Sequence, residues 1–160
     1  MIDLSAAFDT IDHSLLLKAL QSQVGVSSTV LGWFTSYLER RTQRIKVNND
    51  FSKTYHLKYG VPQGSCLGPV LFTLYAAPVL KIIERHLPNA QGYADDHQLY
   101  IGFKPDASAE EEVTVTALQD CISEIRQWML SNKLKINDDK TEFIILGSRR
   151  QLEKVNILKV

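Results

Sequence analysis

Two adjacent aspartates, Asp95 and Asp96, are the residues whose types and spacing most directly suggest chemistry. Apolar residues alternate with polar ones on either side, which predicts two short strands joined by a tight turn at the acids. Two neighbouring carboxylates repel each other unless a cation neutralises them. On this evidence alone the turn is either a divalent-metal site or an ordinary solvated turn.

Asp3 is a third candidate, because it lies in a short apolar strand that a turn of small residues follows. If this strand lies beside the acidic hairpin in one sheet, three carboxylates meet at one edge. Such hard oxygen ligands suit Mg²⁺ bound together with substrate phosphates. Two such ions can activate an attacking hydroxyl and stabilise a leaving pyrophosphate, which is the chemistry of nucleotidyl transfer.

The elements that must position these acids alternate between helices and strands. Periodicity predicts helices over residues 14–24, 30–38, 67–86 and 108–132, a hairpin of residues 39–47 and 53–59, and short strands at 2–4, 135–137 and 143–146, the last of them buried. Asp9 and Asp12 are interpreted as helix caps, and Pro78 is expected to kink or divide the third helix. This order predicts an α+β fold with helices on one face of a sheet.

The bulk properties are those of one globular domain of 160 residues. The formal net charge is zero, so any surface for nucleic acid must be local. Cys66 and Cys121 are interpreted as two buried free thiols. No apolar stretch is long enough to span a bilayer and no signal peptide is visible, so we expect an intracellular protein of nucleus or cytoplasm, neither membrane-bound nor secreted.

Four segments of the sequence resemble, in order, the palm motifs of reverse transcriptases, and more narrowly those of non-LTR (LINE-type) retrotransposons. They are DLSAAFDTIDH at residues 3–13, GVPQGS at 60–65 with LGP at 67–69, YADD at 93–96, and the segment from 128 to 142. The resemblance implies a polymerase palm, a ferredoxin-like antiparallel sheet with helices packed on one face. Residues 1–160 are then expected to be a partial reverse transcriptase domain, truncated at both ends, with fingers and thumb largely missing.

The resemblance also implies roles for individual residues. Asp3, Asp95 and Asp96 correspond to the catalytic carboxylates that bind two Mg²⁺ ions, with Mn²⁺ as an alternative. Phe8 corresponds to the aromatic residue that excludes a ribose 2′-OH. The nucleotide-binding positions further along the chain are Gln63 and Gly64, which lie along the incoming nucleotide, and Lys140, which is assigned to the leaving pyrophosphate. The implied substrates are an RNA template, a DNA primer and deoxynucleoside triphosphates.

Two sets of residues near these motifs have a less specific interpretation. The basic run of Arg40, Arg41, Arg44 and Lys46 either contacts nucleic-acid phosphates or forms a solvated strand edge. His13 is expected at the surface where a helix begins, and His97 is expected to be an outward-facing strand residue.

Two functions compete at this stage. The first is the palm of an RNA-directed DNA polymerase, and the second is a catalytically inert retroelement-derived fragment that acts at most as an interaction module. An RNA-directed RNA polymerase shares the two-metal chemistry, but Phe8 and the YADD segment argue against it. The sequence does not specify an oligomeric state.

Overall fold

The computed structural model describes residues 1–87, 89–93, 96–105 and 108–155. These residues form two compact units, one of Ala6–Tyr75 and one of Met1–Ser5 with Ala76–Val160. In chain order the elements are α1 (Ala7–Thr10), α2 (His13–Val24), α3 (Ser28–Leu38), β1 (Thr42–Gln43), β2 (Lys46–Val47), β3 (Asp50–Phe51), β4 (Tyr55–His56), α4 (Gly68–His86), β5 (Asn89–Tyr93), β6 (Asp96–Tyr100), α5 (Ser108–Ser131) and α6 (Arg149–Leu152).

Helix α2 begins at the side-chain cap predicted for Asp12 and ends at a glycine. The Asp12 carboxylate accepts hydrogen bonds from the backbone N–H groups of Ser14 at 2.9 Å and Leu15 at 3.1 Å, which satisfies two donors that the helix leaves free. Gly25 ends the helix with a φ of 75°, a conformation that glycine adopts without strain. Leu16 and Leu20 fill the core of this unit from one side of the helix.

The predicted hairpin between α3 and α4 is confirmed. β1 pairs with β4 and β2 pairs with β3, both antiparallel, around a turn at residues 48–49. The pairing is interrupted at Ser52, whose hydroxyl accepts a hydrogen bond from the Ile45 N–H at 2.9 Å. Every residue from 42 to 56 is exposed, so the hairpin adds nothing to the core.

The apolar run after residue 67 forms one helix, α4, and Pro78 lies inside it. Of the two effects expected of Pro78, the structure therefore excludes a division into two helices. An interior proline costs about 3 kcal/mol through its lost hydrogen bond and its ring. The fully buried Val79 and Ile83, in the turns that follow, offset that cost through apolar burial.

In the unit that contains the termini, residues 1–5 lie between the β5–β6 hairpin and residues 135–137. Ile2 bridges His97 of β6, and Leu4 bridges Ile136, both in antiparallel register. Helix α5 buries Cys121, Ile125 and Met129 along one face, which confirms the predicted long helix and its apolar face. Helices and small antiparallel sheets together make the fold α+β, as predicted.

Two predictions about burial are wrong. Residues 143–146 were expected to form a buried strand, but they are not in a strand, and Phe143 and Leu146 are 49% and 88% exposed. No described strand lies beside this segment, and the backbone of its neighbour Glu142 exchanges hydrogen bonds with Met1. Cys66 is exposed because it lies in the turn before α4, whereas Cys121 is buried as expected. No helix in the described part of the chain is both long and apolar enough to cross a bilayer.

Candidate active site

The strand register places two of the three predicted carboxylates opposite each other. Ile2 and His97 exchange two backbone hydrogen bonds, 2.7 Å from the Ile2 N–H and 3.2 Å from the His97 N–H. In antiparallel pairing the next opposing residues are Asp3 and Asp96, a non-hydrogen-bonded pair with a typical Cα–Cα separation of about 4.5 Å. Their side chains therefore leave the same face of the sheet.

This pair has the chemistry of a divalent-cation site. Like charges directly opposite on neighbouring strands are destabilising, and a cation between them removes the repulsion. Asp3 is half-buried and Asp96 is exposed, so oxygen ligands face solvent from which an ion can enter. Asp95 lies outside the described residues, and within them no group of three or more candidate ligand side chains could hold a metal. The donor set present fits a hard ion such as Mg²⁺.

His97 belongs to the core, so its predicted outward orientation is wrong. It is 3% exposed and lies opposite both Ile2 and Gly92, and a Cβ atom at Gly92 would stand 3.5 Å from its ring. Successive side chains of a strand alternate between faces, so a carboxylate at 96 that faces the solvent requires residue 97 to face inward. Strict alternation of side chains from Asp96 was the sequence signal that could have predicted the inward orientation of His97.

The turn that carries Lys140 follows the strand next to Asp3. The Asn137 N–H donates to the Asp3 carbonyl at 2.9 Å, and the Ser5 N–H donates to the Lys135 carbonyl at 2.9 Å. Lys140 is exposed, and its backbone N–H donates to the Asn137 carbonyl at 3.2 Å. The structure therefore brings the segments of Asp3, Asp96 and Lys140 together in one unit.

In the other unit, Phe8 and the loop at residues 60–64 form a second group. The half-buried Phe8 ring packs against the Phe72 ring with centroids 5.0 Å apart. The Val61 N–H donates to the Phe8 carbonyl at 2.9 Å, and the Gly60 N–H donates to the Ile11 carbonyl at 2.8 Å. Phe8 and the loop are thus held in one hydrogen-bonded framework.

Gly60 is the point of closest contact in this framework. Its φ is +82°, and a Cβ atom there would lie 2.9 Å from the Asp9 carbonyl oxygen and 3.0 Å from the Asp9 Cα. Only a residue without a side chain permits this approach of two backbones. The glycine that opens the GVPQGS segment is therefore required by packing against α1.

The Gly60 carbonyl oxygen is itself held by two side chains. Arg41 Nη1 donates to it at 3.0 Å, and His13 Nε2 lies 2.8 Å from it. A carbonyl only accepts, so His13 Nε2 carries a proton in this contact. His13 thus has a structural partner that its interpretation as a surface residue missed. The partners are 47 and 19 residues away in sequence, and no local pattern indicates them.

Gln63 is held by Asp9. The Gln63 Nε2 group donates to both Asp9 carboxylate oxygens at 3.0 Å. Asp9 lies inside α1 rather than before it, so the prediction that it caps a helix is wrong, whereas the capping role of Asp12 is confirmed. Gly64 has a φ of +76° with open space around it.

The four basic residues predicted to contact phosphates have different surroundings in the structure. Arg41 is half-buried against the Gly60 carbonyl, while Arg40 is exposed. The Arg44 guanidinium lies 4.6 Å and the Lys46 ammonium 5.4 Å from the centre of the Phe51 ring. These cation–π contacts leave both charges at the exposed hairpin surface.

Comparison with known proteins matches residues 1–158 to the family model described as reverse transcriptase (RNA-dependent DNA polymerase). The chain belongs to the reverse transcriptase family. The resemblance seen in the four motifs is thereby confirmed over nearly the whole chain.

Similar polymerases occur in mobile elements of Drosophila melanogaster. The RNA-directed DNA polymerase from mobile element jockey is 30% identical over 155 residues, which are 92% of this chain and 16% of that protein. The probable RNA-directed DNA polymerase from transposon BS is 29% identical over 146 residues, 88% of this chain and 15% of that protein. The probable polymerase from transposon X-element is 26% identical over 155 residues. This reverse transcriptase chain spans about a sixth of the length of the polymerases it matches.

Proposed function

We propose that this chain is the palm part of an RNA-directed DNA polymerase of a retrotransposon. It would add deoxynucleotides to the 3′-OH of a DNA primer on an RNA template. The observation that carries the proposal is the antiparallel bridge between Ile2 and His97, from which Asp3 and Asp96 are inferred to be the next opposing residues. Membership of the reverse transcriptase family supports the same reaction.

In this proposal Asp3, Asp95 and Asp96 hold two Mg²⁺ ions, for which Mn²⁺ is a substitute. When bound, the ions would activate the primer hydroxyl and neutralise the leaving pyrophosphate. The paired carboxylates supply hard oxygen ligands at a surface open to solvent, where a triphosphate can complete the coordination. Lys140, in the neighbouring turn, would add a positive charge for the pyrophosphate.

The residues of the other unit would select the nucleotide. The Phe8 ring packs against the Phe72 ring and would select deoxynucleotides by steric exclusion of a ribose 2′-OH. Gln63 and Gly64 would lie along the nucleotide, where the absence of a Gly64 side chain leaves room. Arg40, Arg44 and Lys46 would neutralise phosphates of the template or primer.

The proposal also includes the ferredoxin-like arrangement of the palm and a location in the nucleus or cytoplasm. The isolated 160 residues are proposed to be inactive in primer extension, since they match about a sixth of each related polymerase. On that basis the inert, interaction-only fragment is the second candidate function.

A domain exchange tests the proposal. The matching 155 residues of the jockey polymerase are replaced by this chain, and extension of a DNA primer on an RNA template is measured with Mg²⁺. We expect extension by the chimera, loss of extension in its Asp3→Asn and Asp96→Asn variants, and ribonucleotide incorporation in its Phe8→Ala variant. A folded chimera without activity, beside an active parent protein, would contradict the proposal and favour the inert fragment.

A further inference from the structure

The contact between Asp9 and Gln63 fixes which end of the Gln63 amide faces outward. Both Asp9 oxygens lie 3.0 Å from the same Gln63 nitrogen. An ionised carboxylate accepts hydrogen bonds and cannot donate them, so the amide nitrogen must be the atom that faces it. The Gln63 carbonyl oxygen therefore points away from Asp9.

The backbone beneath this contact is fixed at the other end of the loop. Gly60 touches the Asp9 backbone, and the Gly60 carbonyl accepts from His13 and Arg41. The loop backbone therefore has little freedom to shift relative to α1. The remaining freedom of Gln63 is rotation about its side-chain bonds. Asp9 is the group that restricts those torsions.

The exposure of both side chains indicates that the contact orients Gln63 more than it stabilises the fold. Asp9 and Gln63 are both exposed, and polar contacts at exposed sites contribute little to the free energy of folding. A hydrogen bond to an ionised acceptor is nevertheless strongly directional. Its main effect is on the conformation of Gln63.

We propose that Asp9 is a positioning residue that holds the Gln63 amide with its oxygen outward. The outward Gln63 carbonyl oxygen then meets a ligand as a hydrogen-bond acceptor, so the group that this oxygen contacts is a donor, a hydroxyl or an amino group. The inference rests on the proposed function in taking that ligand to be the incoming nucleotide. Asp9 itself touches Gln63 and not the ligand.

The test observes the Gln63 side-chain NH₂ directly by ¹⁵N NMR on the full 160-residue chain, with its resonances assigned by their disappearance in Gln63→Ala. In the wild-type chain we expect the N–H proton that faces Asp9 to be displaced from its position in a free glutamine. Asp9→Ala should return both N–H resonances to the free-glutamine positions, and Asp9→Glu, which restores an acceptor-only carboxylate, should restore the displacement. Asp50→Asn, which removes an exposed acid on the hairpin, is the matched control and should leave them unchanged.

A nucleotide titration of the same samples separates this inference from the proposed function. With dTTP and MgCl₂, the wild-type Gln63 resonances should shift, and the dissociation constant should rise about tenfold in Asp9→Ala and recover in Asp9→Glu. Unchanged Gln63 resonances in Asp9→Ala would overturn the positioning role. Resonances that depend on Asp9 but do not respond to dTTP would instead contradict the nucleotide ligand and, with it, that part of the proposed function.

Discussion

Substitution of Gly60 by alanine should destabilise the protein more than any other glycine-to-alanine change in the Ala6–Tyr75 unit. A side chain at a φ of +82° meets its own carbonyl, which costs about 1–2 kcal/mol in the left-handed region. The new Cβ also meets the Asp9 carbonyl oxygen at 2.9 Å. That atom belongs to a backbone and cannot rotate aside.

Relief of the contact requires the two segments to separate. They are joined by hydrogen bonds of 2.8 Å from Gly60 to Ile11 and 2.9 Å from Val61 to Phe8, which would lengthen together. Overpacking of this kind typically costs about 1–3 kcal/mol. With the left-handed contribution, we expect the free energy of unfolding to fall by about 3 kcal/mol, which lowers the Tm of a chain of this size by roughly 6–12 °C.

Two other glycines serve as controls in the same unit. Gly64 has a φ of +76° but open space, so Gly64→Ala should lose only about 1–2 kcal/mol. Gly32 lies inside α3 with nothing within 4 Å of its Cβ position, so Gly32→Ala should stabilise the protein by up to about 1 kcal/mol. Urea unfolding followed by circular dichroism measures all three. Equal losses for Gly60→Ala and Gly64→Ala would refute the close contact with Asp9.

Three further predictions concern caps, charges and thiols. Asp12→Ala should lower the free energy of unfolding by about 1 kcal/mol, because two N–H groups at the start of α2 lose their acceptor; unchanged thermal unfolding would contradict the cap. The hydrogen bond from His86, aided by Arg85, lowers the pKa of Glu124 below its ordinary value of 4.5. The stabilisation that the ionised Glu124 gives the folded protein is therefore complete above pH 4.5 and is lost as the pH falls through the lowered pKa. The Tm difference between wild type and Glu124→Gln should therefore shrink below about pH 4.5, and a pH-independent difference would be evidence against this pairing. Cys66 should react with a thiol reagent in the folded protein while Cys121 does not, because Cys66 is exposed and burial raises the pKa of the Cys121 thiol to about 11. Two fast-reacting thiols in the native state would contradict the burial of Cys121.

Local sequence patterns predicted the elements of this fold well where short-range chemistry decides the structure. The Asp12 cap and the existence of a hairpin between α3 and α4 follow from residues a few positions apart. The apolar stripe of α5 likewise follows from periodicity within one helix.

Predictions failed where the partner of a residue is distant in sequence. The residues around Asp9 predict that it caps a helix. In the structure its carboxylate instead accepts a hydrogen bond from Gln63, 54 positions further along the chain. Residues 143–146 have the composition of a buried strand, and burial requires a neighbouring strand that the described residues do not provide. His97 is the exception, because strict alternation along the strand from the exposed Asp96 would have placed it inward.

The same distinction between local and distant partners separates the parts of the candidate site that could be predicted from those that could not. The types of residue that could bind a metal and a nucleotide were evident from the four motifs. The antiparallel bridge of Ile2 with His97, next to Asp3 and Asp96, agrees with the expected shared edge. The network around Gly60, in which His13 and Arg41 hold one carbonyl, could not be predicted, because two side chains meet a backbone atom from separate segments.

The central claim is that Asp3 and Asp96 face each other and hold a divalent ion. Titration of Mn²⁺ into the 160-residue chain, followed by electron paramagnetic resonance of the free ion, measures this without any need for polymerase activity. We predict saturable binding by the wild type, a loss of affinity of roughly tenfold or more in both Asp3→Asn and Asp96→Asn, and no change in Asp50→Asn, which removes an acid distant in sequence from the pair. Equal Mn²⁺ affinity in the wild type, Asp3→Asn and Asp96→Asn would contradict the account.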